Sequence, residues 1–417
     1  MNRTISSNIL SDILGVSRTT ISNWVGTGKI TPQSTESGIH HFLPQELSLF
    51  PEVRDMFESD WEKEANTVPN REYTSIELFA GAGGLALGLH KAGLSPILLN
   101  EIIPDAANTL LSNRPDWNVV CDDIKNLSFT DYKGKVDIIA GGFPCQAFSY
   151  AGKKGGFDDA RGTLFFDFAR AVSEVQPKIM VGENVRGLLN HDNGNTLRTI
   201  REVIDNIGYH LIEPRVLKAI FYKVPQKRER LFLIAIRKDL YEAGLRFEWP
   251  SPYKRVLTLR DAFYAGELYD TDVPPSAGQK YPPKKEAVMK LVPMGGNWND
   301  LPLEIQKEYL GKSYFLGGGK TGIARRLSLD EPSLTLTCAP AQKQTERCHP
   351  IETRPLTIRE YARIQTFPDE WVFKGSITSQ YKQIGNAVPV NLALAVGKSI
   401  VKALNTFEAN NKHNECR

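Results

Sequence analysis

The chain has 417 residues, 41% of them apolar and 24% charged, with a formal net charge of +3. That length accommodates two or three domains, and the composition is that of a soluble globular protein rather than a disordered or fibrous one. The five cysteines imply no disulfide framework, no apolar run approaches a membrane span, and Met1 to Ser6 lacks a signal-peptide core, so a cytoplasmic protein without membrane attachment is expected.

Residues 6–25 read as two short helices around a tight turn. Ile9, Leu10, Ile13 and Leu14 form an apolar face at helical spacing, Gly15 breaks the first helix, and Ser17 caps the second. Ile21, Trp24 and Val25 give the second helix a buried side. This is the pattern of a helix-turn-helix. It would project Arg18, Thr19, Thr20, Ser22 and Asn23 toward base edges or phosphates. The apolar spacing predicts a self-contained small core. Residues 38–42 fit a wing strand, and residues 51–70 an acidic helix and a linker. His40 and His41, with no cysteine nearby, read as a surface pair rather than metal ligands.

A different pattern starts at Tyr73. Residues 75–79 predict a strand, Ala80-Gly81-Ala82-Gly83-Gly84 a glycine-rich turn, and residues 85–92 a helix. Such a turn lets backbone approach a nucleotide-like cofactor. Residues 97–101 predict a second strand ending in Glu101, an acid placed to bond ribose hydroxyls. Spacing alone would equally admit a dinucleotide. The apolar run 136–140 predicts a buried parallel strand, which Gly141-Gly142-Phe143-Pro144 stops sharply. Cys145 is thereby delivered to the carboxyl edge of an open α/β sheet, where ligands bind. Residues 178–182 predict a further strand, capped by Glu183, which brings a carboxylate to the same edge. Arg228 and Arg230 share one side of the extended segment before the strand 231–236.

Residues 215–363 hold 26 Lys and Arg against 17 Asp and Glu, an excess of 9 that suits a polyanionic partner. Between 251 and 353 periodicity fades and Pro and Gly cluster, as at Pro274-Pro275 and Gly317-Gly318-Gly319. Cys338, Cys348 and His349 have no second close pair, so no metal site is expected. A capped helix follows Arg354, and Gly385-Asn386-Ala387-Val388-Pro389 opens the last one.

Phe143-Pro144-Cys145-Gln146-Ala147-Phe148-Ser149 resembles the nucleophile motif of the DNA (cytosine-5) methyltransferases. Phe79 to Gly84, Glu183-Asn184-Val185, Gln226-Lys227-Arg228-Glu229-Arg230 and Gly385 to Pro389 match further motifs of that family in order. The resemblance spans roughly residues 73–405 and leaves out the first seventy.

It implies an α/β, Rossmann-like methyltransferase fold with a mixed, mostly parallel sheet. The catalytic domain would comprise residues 71–250 and 354–417 and an irregular target-recognition domain residues 251–353, while the helix-turn-helix read from apolar spacing takes, with its linker, residues 1–70. The implied cofactor is S-adenosyl-L-methionine. Phe79, Ala80, Gly81, Gly83, Gly84, Leu85, Glu101, Gly142, Pro144 and Leu164 would hold it, closed by Asn386, Ala387 and Val388. Asp123 and Ile124 would flank the adenine, with Asp122 competing for the acid's place.

The implied chemistry is addition of the Cys145 thiolate to carbon 6 of a cytosine flipped out of duplex DNA, making carbon 5 nucleophilic. Glu183 would hold a proton at ring nitrogen 3, which calls for a raised pKa. Arg230 would bond the carbonyl oxygen and orient Glu183, with Arg228 in support. Gln146, Arg161, Arg325, Arg326 and Thr335 are the expected contacts to the methylated DNA, with Lys320, Lys343 and Arg347 as further candidates. Arg18, Thr19 and Asn23 would read a second site, such as an operator. The implied setting is a bacterial restriction-modification system, with the enzyme acting as a monomer. An RNA cytosine methyltransferase shares the catalytic motifs, and a DNA-binding regulator with an inactive enzyme domain is the other alternative. The basic recognition region and the amino-terminal helices favour duplex DNA.

Overall fold

The computed structural model describes residues 4–144, 164–317 and 320–415; Cys145, Gln146 and Arg161 lie outside the described residues. The chain forms two compact units. One contains residues 63–218, 229–250 and 370–417, the other residues 1–62, 219–228 and 251–369. The divisions thus fall near 62 and 369 rather than at the expected 70 and 353.

The first unit is built on a mixed sheet. Across it the strands run Arg215–Lys218, Glu229–Arg237, Ile179–Val185, Ile138–Gly141, Tyr73–Leu78, Leu94–Asn100 and Val119–Val120, with Tyr209–Leu211 pairing the second of these. Ile179–Val185 through Val119–Val120 are parallel neighbours, and Glu229–Arg237 joins antiparallel. The parallel strands are buried on both faces, hence their near-continuous apolar sequence.

Chain order reverses at Tyr73–Leu78. From it the chain moves outward to Leu94–Asn100 and Val119–Val120, then returns to the other side at Ile138–Gly141. The crevice at such a reversal is where open α/β sheets bind ligands. The glycine turn after Leu78 and the Gly142 segment both open onto it.

Helix Leu164–Val175 covers one face. Its Phe165, Phe168, Ala169 and Val172 recur at helical spacing and are buried in the core with Ile139, Met180 and Leu233. Elsewhere in this unit, helix Gly84–Ala92 meets the closing helix Val390–Glu415 at backbone distance. A Cβ on Gly88 would lie 2.4 Å from the Ala393 Cβ and 2.5 Å from the Val390 carbonyl, so only glycine fits. The helical run Ile377–Asn411 is apolar enough to cross a membrane, contrary to the sequence expectation, but 72% of its most apolar stretch is buried inside the protein.

In the second unit, helices Ser7–Leu14 and Arg18–Gly26 flank Gly15-Val16-Ser17, each capped by a serine hydroxyl. A hairpin of Ser34–Glu36 and Ile39–Phe42 follows, and Ile5–Ser6 pairs with its second strand. The core of this segment is not self-contained. Leu10, Ile13, Ile21, Phe42 and Val53 pack in one cluster with Ile220 and Val256 from far along the chain. A second cluster holds Tyr281, Met289, Val292, Leu310, Ile323 and Cys348. The strands Gln226–Lys227 and Ser333–Leu334 pair in parallel.

Candidate active site

A cavity of about 890 Å³ opens at the reversal point of the sheet. Its wall begins with Phe79, Ala80, Gly81, Gly84 and Leu85. The turn is wound tightly. Phe79 takes φ +58°, a left-handed value that a phenylalanine rarely adopts, and Gly81 and Gly83 take +55° and +86°. A side chain on Gly81 would meet no atom within 4 Å, so the glycine keeps open space at the cavity wall. Gly83 does not line the cavity; its Cβ would collide with Leu110 and Trp371. Helix Gly84–Ala92 starts without a side-chain cap, which leaves its first backbone N–H groups for an anion.

Glu101, Asp123, Ile124, Gly142, Pro144, Leu164, Asn386, Ala387 and Val388 complete the expected set, and all line the cavity. Both Glu101 oxygens accept backbone bonds, from Gly81 N at 2.7 Å and from Ile103 N at 2.7 Å. The carboxylate therefore fastens the glycine turn while retaining lone pairs for a ligand hydroxyl. Asp122 instead accepts from Asp123 N and Asn126 Nδ2 and does not line the cavity. The residues fit S-adenosyl-L-methionine: a glycine cradle, a buried acid, and an uncapped helix start for its carboxylate.

Glu183 lies within the strand Ile179–Val185 rather than capping it, because the antiparallel partner Glu229–Arg237 extends the ladder to Val185. Arg230 pairs with Val185, and Phe232 with Glu183, so Arg230 and Glu183 are diagonal neighbours on one face. Arg230 Nε stands 2.8 Å from Glu183 Oε1. Burial pulls the Arg230 guanidinium down, and the Glu183 carboxylate opposes this. The other oxygen, Glu183 Oε2, would be 2.9 Å from a Cβ on Gly142, so the glycine admits the carboxylate. Asn184 Nδ2 donates to the Phe143 carbonyl at 2.8 Å and ties the end of one strand to the next.

Sequence reasoning missed Glu77. It sits inside the strand Tyr73–Leu78, is 4% exposed, lines the cavity, and has a buried Oε2 with no hydrogen-bond partner. Burial pushes its carboxyl well above the usual range, and the Glu101 and Glu183 carboxylates add to this. With the folded pKa raised, its contribution to stability is complete below the unfolded value of about 4.3 and is lost as pH climbs toward the folded value. Glu77→Gln is expected to gain stability over the wild type as pH rises above the unfolded value, by up to about 1.4 kcal/mol per pH unit until the folded value is passed. Urea midpoints of the two proteins at each pH measure it, and a gap that stays constant refutes a protonated Glu77. Ser379, Lys382, Gln383 and Asn386 also line the cavity. Their spacing on helix Ile377–Asn386 was a legible signal for one face.

Several expected site residues are placed elsewhere. Arg228 is 1% exposed, donates to the Leu336 carbonyl at 3.3 Å, and does not line the cavity. Arg326 is 4% exposed, and its three nitrogens donate to the carbonyls of Met289, Val292, His349, Ile351 and Glu352 and to Thr353 Oγ1. It is an internal brace, not a DNA contact. Arg347 is likewise buried and bonded to the Thr335 carbonyl. Thr335 gives its hydroxyl hydrogen to the Lys227 carbonyl at 2.7 Å, and Arg325 is half-buried. Arg18 is paired with the buried Glu331 at 2.5 Å, and Lys227 joins Glu331 to Asp12 on the first helix. Thr19 and Asn23 remain exposed.

The profile of C-5 cytosine-specific DNA methylases matches residues 73–402. The chain is similar to the Type II methyltransferase M.Eco47II of Escherichia coli, with 62% identity over 396 residues, 95% of this chain and 94% of that one. To the Type II methyltransferase M.PspPI of Psychrobacter sp. (strain TA137) the identity is 58% over 402 residues, 96% of each chain. Among solved structures, a prophage-encoded DNA modification methyltransferase of E. coli is 26% identical with a TM-score of 0.58, over 80% of this chain and 100% of that one.

Proposed function

Because this chain belongs to the C-5 cytosine-specific DNA methylase family, it is a site-specific, S-adenosyl-L-methionine-dependent DNA (cytosine-5) methyltransferase of a restriction-modification system, and we propose that Cys145, Glu183 and Arg230 carry its chemistry. The observation that supports this division of labour is the Arg230–Glu183 pair over Gly142, shortly ahead of Cys145 in the chain.

The cytosine is rotated out of the duplex, since no side chain reaches its carbon 6 inside the stack. Cys145, as thiolate, adds its electron pair to carbon 6. Glu183 holds a proton at nitrogen 3, and Arg230 bonds the carbonyl oxygen, so the added charge is delocalised as an enamine. When bound, the cofactor would supply an electrophilic methyl group to carbon 5, the electron pair of the broken methyl–sulfur bond staying on its sulfur. Afterward the carbon 5 proton passes to water and the Cys145–carbon 6 bond breaks, returning the thiolate. Bisulfite sequencing of plasmid DNA from expressing cells tests the activity and reads out the target. Reads without protected cytosines overturn it, and methylated transfer RNA instead supports the RNA alternative.

The enzyme acts as a monomer in the bacterial cytoplasm, and residues 251–353 choose the target. The second amino-terminal helix reads a different sequence, such as the operator of the neighbouring genes. The exposed Thr19 and Asn23 support this reading. Thr19→Ala with Asn23→Ala is expected to weaken binding to a promoter fragment about tenfold, at an unchanged methylation rate on short duplexes holding only the target. Equal losses on both DNAs assign the helix to the methylation target instead.

A further inference from the structure

The recognition segment carries an apolar projection that the reaction leaves unexplained. Phe315 and Leu316 are 81% and 65% exposed. They end the turn Gly311–Phe315 and precede Gly317. Two consecutive large apolar side chains this far into water mark a contact surface rather than ordinary scatter.

The projection is braced from behind. The Phe315 ring meets the Tyr314 ring edge-on at 5.2 Å, and Tyr314 meets Trp298 at 6.1 Å. Lys320 donates to the Tyr314 carbonyl at 3.1 Å and places its ammonium 5.8 Å from the Trp298 ring. The tip therefore faces water while its base is fixed by aromatic contacts and a hydrogen bond. Lys312 and Lys320 flank it in sequence, and no Asp or Glu occurs between Leu310 and Leu329.

An apolar tip flanked by two lysines complements a polyanion with an apolar, stacked interior. Duplex DNA has that chemistry, and wedge side chains enter it at single base steps. We propose that Phe315, backed by Leu316, inserts at a base step of the target duplex while Lys312 meets the adjacent phosphates. The proposal rests on residues 251–353 being the region that engages the target.

The test uses the full chain and a duplex carrying the target mapped by bisulfite sequencing. Phe315→Ala is expected to weaken duplex binding about tenfold. An apolar contact releases no counterions, so the slope of log K against log salt should stay that of the wild type. The cofactor KM and Tm should also hold, since the ring is exposed, and Phe315→Trp should recover most of the affinity. Lys312→Ala, by contrast, should lower the slope by about one. Unchanged duplex affinity in Phe315→Ala overturns the wedge, as does a loss accompanied by a smaller slope. Sedimentation showing a wild-type dimer that Phe315→Ala dissociates assigns the projection to self-association and also overturns it. Wild-type methylation of the same duplex, run in parallel, shows separately whether the target reading has failed.

Discussion

Cys145→Ser is expected to transfer methyl groups to DNA at less than about a thousandth of the wild-type rate, with duplex and cofactor binding retained. The reason lies in the nucleophile. A serine hydroxyl is not appreciably ionised near neutral pH, whereas a thiol is within reach of its thiolate and intrinsically more reactive. The residue follows Gly142-Phe143-Pro144, whose positions are set by the sheet and by the Asn184 bond to the Phe143 carbonyl, so the support does not depend on the sulfur. Duplex DNA bearing 5-fluorocytosine at the target should trap the wild type as a denaturation-resistant adduct, because fluorine cannot leave as a proton does. The serine variant should form none. Methylation by the serine variant, or trapping through it, would remove Cys145 from the mechanism.

The second large effect concerns the pair of Arg230 and Glu183. Arg230 and Glu183 are 12% and 11% exposed at their side chains. Arg230→Ala leaves the carboxylate buried without its cation, at a cost of about 3–5 kcal/mol in stability. It also removes a positioned donor, lowering kcat by about a hundred- to a thousandfold. Glu183→Gln keeps the shape and sheds the charge. Its kcat should fall by about two to four orders of magnitude while its Tm stays nearer the wild type. The double variant should recover stability over Arg230→Ala without recovering rate. Single-turnover rates beside thermal melts separate the two effects. An Arg230→Ala enzyme that melts normally and turns over at the wild-type rate refutes the pairing as a working unit.

Much of the catalytic sheet was legible because its central strands, parallel and antiparallel alike, are buried and so read as near-continuous apolar runs, as at 136–140 and 231–236. The turn at Gly81 to Gly84 was legible because backbone near a ligand demands glycine. Basic residues misled where charge was taken for exposure. Arg326 looks in sequence like part of a polyanion surface and Arg228 like a support to the catalytic site, yet each bonds internal carbonyls. An arginine satisfied by carbonyls leaves no mark on local spacing. Glu77 was hidden for a related reason: an acid within a strand pattern reads as solvent-facing until the neighbouring strands are known to cover it. The amino-terminal helices were placed correctly from capping and periodicity, but their sharing of a core with Ile220 and Val256 depends on contacts no local pattern encodes.

The meeting of Gly88 with Ala393 orders the protein's birth. The helix that follows the glycine turn emerges from the ribosome long before the helix that must lie on it. Until then Leu85, Leu89 and Ala92, all buried in the finished protein, lack their cover. Contacts between such distant parts of a chain close slowly and leave apolar surface open meanwhile. The cofactor cradle, whose wall includes Asn386 to Val388, is therefore completed only after the long stretch between the two helices has been made. A nascent chain cut short before Val390 would carry every catalytic side chain and still have no finished place to bind the methyl donor.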